Sequence, residues 1–299
     1  MRPLRWTRRR TAPTPAGSDV RPGPDVVGVD DAGAPGADVG ARASTGVGEG
    51  PAALGCVLRL EDVHVRLGDR DVLRGVDLEI RERRTGIVGA NGSGKSTLAR
   101  LLNGLVVPTA GRVLVDGLDT RRDGPAIRRR VGFVFTDPDA QIVMPTVAED
   151  VAYSLRHVPR GARDDVVRAA LARRGLAEHA DHPAHLLSGG QKQLLALTSV
   201  LAARPRVVVA DEPTTLLDLR NTRRFAAELA SLPQQVVLVS HDLSLMGAMD
   251  RVLVVDGGQV VADDEPTAAV AHYLRLVDGH PDALAPPTRG AVPHGRGPA

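Results

Sequence analysis

A glycine loop between an apolar run and a helix-forming segment constrains this chain more than any other feature. Residues 89–96 read GANGSGKS, a complete G-x-x-x-x-G-K-S pattern. The apolar residues 86–88 before it predict a short buried strand, and residues 97–104 after it predict a helix that ends at a glycine. In that context the loop N–H groups and the helix N-terminus form a cradle for phosphate. The sequence therefore predicts a nucleotide-phosphate site rather than an ordinary glycine-rich turn.

The lysine of this loop is unusual for the chain. There are 36 arginines and only two lysines, Lys95 and Lys192. A compact ammonium fits a phosphate loop, whereas a guanidinium fork is too wide for it. We expect Lys95 to contact the β- and γ-phosphates and the Ser96 hydroxyl to hold Mg²⁺.

Charge balance and cysteine content limit the class of protein. The 299 residues include 38 basic and 36 acidic ones, so the basic excess does not indicate nucleic acid, and no nucleic-acid partner is expected. The single cysteine, Cys56, cannot form an internal disulfide and fits a reducing, cytosolic setting. No apolar run approaches the roughly 18 residues of a membrane-spanning helix, so any link to a membrane is expected to come through a partner.

Composition divides the chain into a central domain and two ends. Residues 1–53 and 278–299 are rich in glycine, proline and alanine and show no periodicity. Such segments bury too little apolar surface to offset the entropy of ordering. We predict a disordered N-terminal extension over 1–53, one folded domain over 54–277 and a disordered C-terminal tail over 278–299.

The pattern of apolar residues predicts an α/β fold. Segments between residues 57 and 80 alternate apolar and polar residues, which indicates a small antiparallel sheet. The runs 207–210, 236–239 and 252–255 are continuously β-branched or apolar, which indicates parallel strands buried on both faces. Residues from about 140 to 205 carry helical spacing instead. The predicted fold class is a P-loop NTPase core with a mixed, mainly parallel sheet and flanking helices, an antiparallel β subdomain and an inserted α-helical subdomain.

Two further motifs carry chemistry. The apolar strand 207–210 ends in Asp211 and Glu212, and downstream of a phosphate loop such acids serve Mg²⁺ and the attacking water respectively. Residues 187–191 read LSGGQ, which places two glycines and a serine at a helix start, a second anion-binding end. Two such ends in one chain suggest that two chains share each nucleotide.

Together these motifs make the chain resemble the ATP-binding-cassette (ABC) family over about residues 57–277. The resemblance implies that residues 54–277 form an ABC ATP-binding domain. The resemblance implies that residues 187–191 are the signature that completes the site of the opposite subunit. It implies that His241 contacts the γ-phosphate and that Asp218 lies in a loop at the dimer interface. ATP and Mg²⁺ are the implied cofactors, and a homodimer, or a heterodimer with a related ATPase, is the implied assembly.

The chain departs from the family pattern at two places. The family commonly has glutamine after the strand at 133–135, where this chain has Thr136, with Gln141 nearby. The family also stacks an aromatic side chain on the adenine, whereas the corresponding region here offers Arg66 and Leu67. Loss of such a stack weakens binding by roughly 0.5–1.5 kcal/mol. We expect slower turnover with the catalytic acid and the phosphate contacts retained.

Residues 137–143 and 145–151 resemble the energy-coupling-factor branch of the family, and 82–89, 213–221 and 232–236 are similar to the ATPase component of biotin importers. The resemblance implies a transmembrane coupling protein and a membrane substrate-binding protein as partners, at the cytoplasmic face of the cell membrane. A cobalt or nickel importer, a soluble non-transport ABC ATPase and a regulatory ATP-binding module with slow turnover are the alternatives.

A histidine run just before the signature suggests a metal site at first sight. His179, His182 and His185 follow an H-x-x-H-x-x-H pattern, but Pro183 interrupts any helix that would align them. We therefore expect no metal there.

The candidate site residues fall into three groups. They are Glu212, His241 and Lys95 for catalysis; Gly89, Asn91, Gly92, Ser93, Gly94, Lys95, Ser96, Thr97, Ser188, Gly189, Gly190, Gln191 and Asp218 for ATP; and Ser96, Asp211 and Thr136 for Mg²⁺.

Overall fold

A computed structural model describes residues 56–156 and 158–279. The disorder predicted for residues 1–53 and for most of the C-terminal tail lies outside these ranges. The strands that they contain are β1 (Leu58–Leu67), β2 (Arg70–Ile80), β3 (Arg84–Val88), β4 (Ala110–Val115), β5 (Leu118–Asp119), β6 (Val131–Val134), β7 (Val207–Asp211), β8 (Gln235–Val239), β9 (Arg251–Asp256) and β10 (Gln259–Asp264). The α-helices are α1 (Lys95–Leu101), α2 (Gly124–Arg130), α3 (Val147–Ser154), α4 (Arg160–Arg173), α5 (Gly189–Ala202), α6 (Leu219–Ser231) and α7 (Pro266–Val277).

The strands form two sheets. The first has the order β2-β1-β4-β5 and is antiparallel throughout, with Leu58 of β1 opposite Ile80 of β2. The second has the order β10-β9-β3-β8-β7-β6, and only β10 runs antiparallel to its neighbour. Because parallel strands end at the same edge of a sheet, residues that follow β3, β6, β7 and β8 meet there.

The second sheet is buried on both faces, as the continuous valine runs predicted. In β7, Val207 and Val209 face a core that includes α1 and the antiparallel sheet, while Val208 and Ala210 face a second core with α3 to α6. Successive side chains of a strand point to opposite faces, so one apolar run serves both cores.

The chain between β6 and β7 is helical. From residue 138 to residue 202, the described part contains α3, α4, α5 and short 3₁₀ turns. Capping boxes begin two of these helices, with Thr146 at the N-cap of α3 and Ser188 at the N-cap of α5. The predicted fold class, with an antiparallel β subdomain and an inserted helical one, is confirmed.

Some elements differ from the sequence prediction. The helix of the phosphate loop begins at Lys95 rather than at residue 97, because Gly94 takes a left-handed conformation (φ 110°) and starts it. The sequence analysis did not predict α2 or α7, and it covered α3 only as part of the helical region from about 140 to 205. Of the residues of α7 only Ala269 is fully buried, so this helix depends on packing against β9 and β10 rather than on a strong apolar stripe of its own.

Candidate functional site

The phosphate loop forms a cradle that only glycine permits at its ends. A Cβ atom added at Gly89 would lie 2.0 Å from the carbonyl oxygen of Val255, and one at Gly94 would lie 2.9 Å from that of Val72. Ser93 is buried, and its hydroxyl has no hydrogen-bond partner among the described residues. An unpartnered buried donor in a glycine cradle fits a bound phosphate.

The lysine of the loop folds back over the cradle. Lys95 is buried, and its Nζ donates to the carbonyl oxygen of Ala90 at 2.9 Å. Burial lowers the pKa of Lys95, and the nearby carboxylates of Glu212 and Asp211 partly counter this effect.

A hydroxyl and a carboxylate meet at the start of α1. The Ser96 hydroxyl donates to Asp211 Oδ1 at 2.8 Å, and Arg100 Nη2 lies 3.5 Å from Asp211 Oδ2. Asp211 is 1% exposed, and this burial raises its pKa, although the Ser96 hydrogen bond acts in the opposite direction. These are hard oxygen donors, the type that Mg²⁺ prefers, so the pair fits a divalent cation.

The acid next to Asp211 has an uncommon backbone. Glu212 adopts φ 51°, a left-handed conformation that is rare for residues with side chains, and its N–H donates to the Val239 carbonyl oxygen at 3.0 Å. Its Oε2 contacts His241 Nδ1 and accepts from the Thr215 hydroxyl at 3.0 Å. The end of β7 and the end of β8 thus bring the predicted catalytic pair into direct contact.

Thr136 lies where β6 ends and binds the neighbouring strand. Its hydroxyl donates to the main-chain oxygen of Asp211 at 2.7 Å. Gln141 does not replace the missing glutamine: its Oε1 accepts from the Phe135 N–H at 3.1 Å and its Nε2 lies 3.3 Å from the Phe133 oxygen. Gln193 of α5 donates to the Phe135 oxygen at 3.1 Å, so the end of β6 is held on both sides.

Several of these residues line one cavity of about 750 Å³. The phosphate loop forms one wall, and Thr136, Glu212 and His241 line the cavity as well. A nucleotide triphosphate with its metal fits a cleft of this size and composition.

Comparison with known proteins decides the family. A model of the ABC transporter family matches residues 73–215. A putative ABC transporter ATP-binding protein of Deinococcus radiodurans is 52% identical over 219 residues, which are 73% of this chain and 97% of that protein. The chain belongs to the ABC transporter family. It is therefore an ATP-binding cassette, and such transporter components are ATPases.

The cassette is also similar to two proteins that have more specific descriptions. The cassette is 42% identical to the biotin transport ATP-binding protein BioM of Rhizobium etli, over 73% of this chain and 98% of that protein. Its fold superposes on cbiO1 of Clostridium perfringens, part of the ABC transporter complex cbiONQ, with a TM-score of 0.65 and 30% identity, over 77% of this chain and 97% of that one.

The signature residues of the cassette lie outside the cavity. Ser188 caps α5, and a Cβ atom at Gly190 would lie 2.6 Å from the side chain of Asn221. Asn221 in turn donates from its N–H to Asp218, the N-cap of α6, at 2.8 Å. The structure thus groups the signature with Asp218 but not with the phosphate loop of the same chain.

Two of the three histidines contribute to the signature. Gln191 Oε1 accepts from the Ser188 N–H at 2.9 Å, so its Nε2 faces His179 Nε2, 2.9 Å away, as a donor. His179 Nδ1 lies 2.9 Å from His182 Nδ1. The histidine pair therefore orients the side chain that completes the capping box of α5. Among the described residues no group of three or more histidines, cysteines or acids is arranged for a metal ion.

Sequence reasoning missed Thr215, which follows β7 and donates to Glu212, and four cavity residues from more distant elements. Arg70 and Val72 come from β2, and Tyr273 and Val277 come from α7. No local motif marks them, because tertiary packing alone brings them to the phosphate loop.

The described helices include none that is both long and apolar enough to cross a bilayer.

Proposed function

We propose that this cassette is the ATP-hydrolysing subunit of an energy-coupling-factor importer, that it works as a dimer, and that biotin is its favoured cargo. One observation carries the ATPase site: the Ser96–Asp211 pair and the Glu212–His241 pair lie at one sheet edge beside the phosphate loop. The likeness to BioM supports the cargo.

The first group of residues binds the nucleotide. N–H groups of residues 89–97 and the Ser93 hydroxyl hold the phosphates, and Lys95 neutralises the β- and γ-phosphates. Mg²⁺, when bound, offsets charge on the same phosphates, and Ser96 and Asp211 would hold it. Thr136 lies close enough to the Asp211 main chain to support that cation site, and the slower turnover expected from its short side chain stays a prediction.

The second group cleaves ATP. Glu212 takes a proton from a water molecule while the oxygen of that water bonds to the γ-phosphorus, and the bond from phosphorus to the ADP oxygen breaks. His241 is more than half exposed, so its ring can turn from Glu212 toward the γ-phosphate. ADP and inorganic phosphate are the products.

Two chains complete each site. Because Ser188, Gly189, Gly190 and Asp218 do not line the cavity of their own chain, we infer that they cover the nucleotide of a partner chain. Each chain carries both half-sites, so a homodimer is sufficient, and a heterodimer with a related ATPase is compatible. ATP then holds the two chains together, and hydrolysis releases them.

The membrane partners are inferred from the branch. A transmembrane coupling protein and a membrane substrate-binding protein would place the cassette at the cytoplasmic face of the membrane. Residues 141–153 are the proposed contact, and this segment exposes Val143 (63%) and Tyr153 (48%). Both apolar side chains are accessible to a membrane partner.

Substitution of the proposed base tests the ATPase site. Glu212→Gln keeps the shape but removes the base, so we expect ATPase activity to fall by about 10²- to 10⁴-fold and an ATP-bound dimer to accumulate on size-exclusion chromatography. Glu265→Gln, at an exposed position before α7, is the matched control and should retain both wild-type behaviours. Full ATPase activity in Glu212→Gln would contradict the assignment.

Uptake tests the cargo. Cells that express the cassette with its membrane partners should accumulate labelled biotin, and the Glu212→Gln variant should not. Accumulation of cobalt or nickel instead would replace biotin as cargo without changing the ATPase assignment.

A further inference from the structure

The nucleotide cavity has two ends, and the structure tells them apart. Glu212 and His241 mark the end at which the γ-phosphate reacts. They follow β7 and β8, which lie on one side of β3 in the second sheet. Strands β9 and β10 lie on the other side of β3, and the turn between them, at Gly258, meets the main chain of Val72.

The hairpin of β1 and β2 forms the opposite end. The main chain of Val72 approaches Gly94, the residue that begins α1, so closely that a Cβ there would contact its carbonyl oxygen. A nucleotide whose γ-phosphate points to Glu212 must extend its base in the other direction. The wall that meets the base is thus the start of β2, where Arg70 and Val72 line the cavity.

Arg70 is exposed at this wall and contacts the phosphate loop. Its Nη2 donates to the carbonyl oxygen of Gly92 in the phosphate loop at 3.2 Å. The neighbouring Arg66 is engaged differently: its guanidinium pairs with Asp71 at 3.4 Å, and it does not line the cavity. The phosphate loop thus contacts one planar cation of the hairpin.

We propose that Arg70 is the base-recognition residue of the cassette, and that its guanidinium stacks on the purine ring of ATP with Val72 as the apolar neighbour. A planar, weakly hydrated guanidinium stacks well on aromatic rings. Arg70 thereby supplies a stacking surface that Leu67, in the same hairpin, lacks. The proposal rests on the ATP site described above and deepens it.

The test separates base recognition from charge. Binding of ATP and of inorganic tripolyphosphate to the full-length chain is measured by calorimetry for wild type, Arg70→Ala, Arg70→Lys and Arg70→Tyr. We expect Arg70→Ala to weaken ATP binding by about 3- to 30-fold and to leave tripolyphosphate binding unchanged. Arg70→Tyr should restore ATP affinity because it offers a ring, and Arg70→Lys should not.

Three controls give each outcome a meaning. Arg66→Ala removes the same charge from the same hairpin and should bind ATP like wild type. Lys95→Ala should lose both ligands; retention of both would contradict the ATP site itself rather than the role of Arg70. Equal losses of ATP and tripolyphosphate in Arg70→Ala would overturn the proposal in favour of phosphate binding. If Tyr273→Ala lost affinity for ATP but not for tripolyphosphate, and Arg70→Ala bound ATP like wild type, the proposal would be overturned. The base would then be assigned to the wall formed by α7.

Discussion

At the scale of single residues, the candidate site contains two acids whose placement costs folding free energy. Asp211 is almost fully buried, with one hydroxyl as its closest partner, and Glu212 has a left-handed backbone. Both features cost stability, and both residues lie at the sheet edge beside the proposed γ-phosphate end of the cavity. Such conflicts between local preference and fold are typical of functional sites.

The buried carboxylate of Asp211 makes a prediction about pH. Because burial raises its pKa, the folded state binds the proton more tightly than the unfolded state does, so ionisation opposes folding. The contribution of this group is most favourable below the ordinary aspartate pKa of about 4 and is lost as the pH rises through the folded-state value. Asp211→Asn should therefore raise the free energy of unfolding at pH 7.5 while Mg²⁺-dependent ATPase activity is lost.

Urea denaturation at two pH values checks this prediction. The stability gain of Asp211→Asn should shrink at pH 4.5, where the wild-type carboxylate is closer to neutral. Asp165→Asn, at an exposed position of α4, should show no gain at either pH. A destabilised Asp211→Asn protein at pH 7.5 would mean that the Ser96 hydrogen bond outweighs the cost of burial.

At the scale of elements, α5 connects the signature to the histidine pair. We predict that His179→Ala weakens ATP-dependent dimerisation, because Gln191 loses the acceptor that orients its amide, a loss of about 0.5–1.5 kcal/mol. Binding of ATP to the single chain should be unchanged, since His179 is far from the phosphate loop in sequence and does not line the cavity.

Analytical ultracentrifugation of His179→Ala in the Glu212→Gln background measures this effect. His185→Ala is the matched control, because it removes a third, exposed histidine of the same run. Equal dimerisation in the two variants would show that the histidine pair does not support the signature.

The sequence predicted elements whose information is local and missed those that need distant partners. The valine run of β7 predicted a doubly buried strand, and the G-x-x-x-x-G-K-S and LSGGQ patterns marked two helix starts. In contrast, α7 contributes Tyr273 to the cavity from about 180 positions away, and Arg70 reaches Gly92 only because the hairpin folds over the loop. Neither contact leaves a periodic or motif signal, so no pattern could predict it.

At the scale of the whole molecule, the proposed dimer predicts complementation between two inactive chains. Lys95→Ala disables the phosphate loop, and Gly189→Asp places a negative charge on the signature at a position where a Cβ atom meets only the Leu216 carbonyl oxygen, at 3.9 Å. In an equal mixture, half of the dimers pair one chain of each kind, and each such dimer keeps one intact composite site. ATPase activity should recover to about a quarter of the wild-type value per chain, as expected for random pairing in a two-fold dimer.

Each variant alone is the control and should be inactive. Recovery in the mixture requires that residues of one chain act on the nucleotide of the other. A mixture as inactive as its components, with dimers verified by cross-linking, would contradict shared sites.

The hydrogen bonds at the end of β6 have a consequence for how the cassette responds to salt. The main chain of one residue, Phe135, joins Gln141 at the start of the proposed membrane contact to Gln193 of the signature helix, and the next residue bonds to the main chain of Asp211. All the groups in this chain of contacts are uncharged. Ionic strength weakens links between charges and leaves neutral amide contacts almost unaffected. Communication between the proposed membrane contact and the proposed metal-binding edge should therefore persist at salt concentrations that screen the ion pairs of the surface.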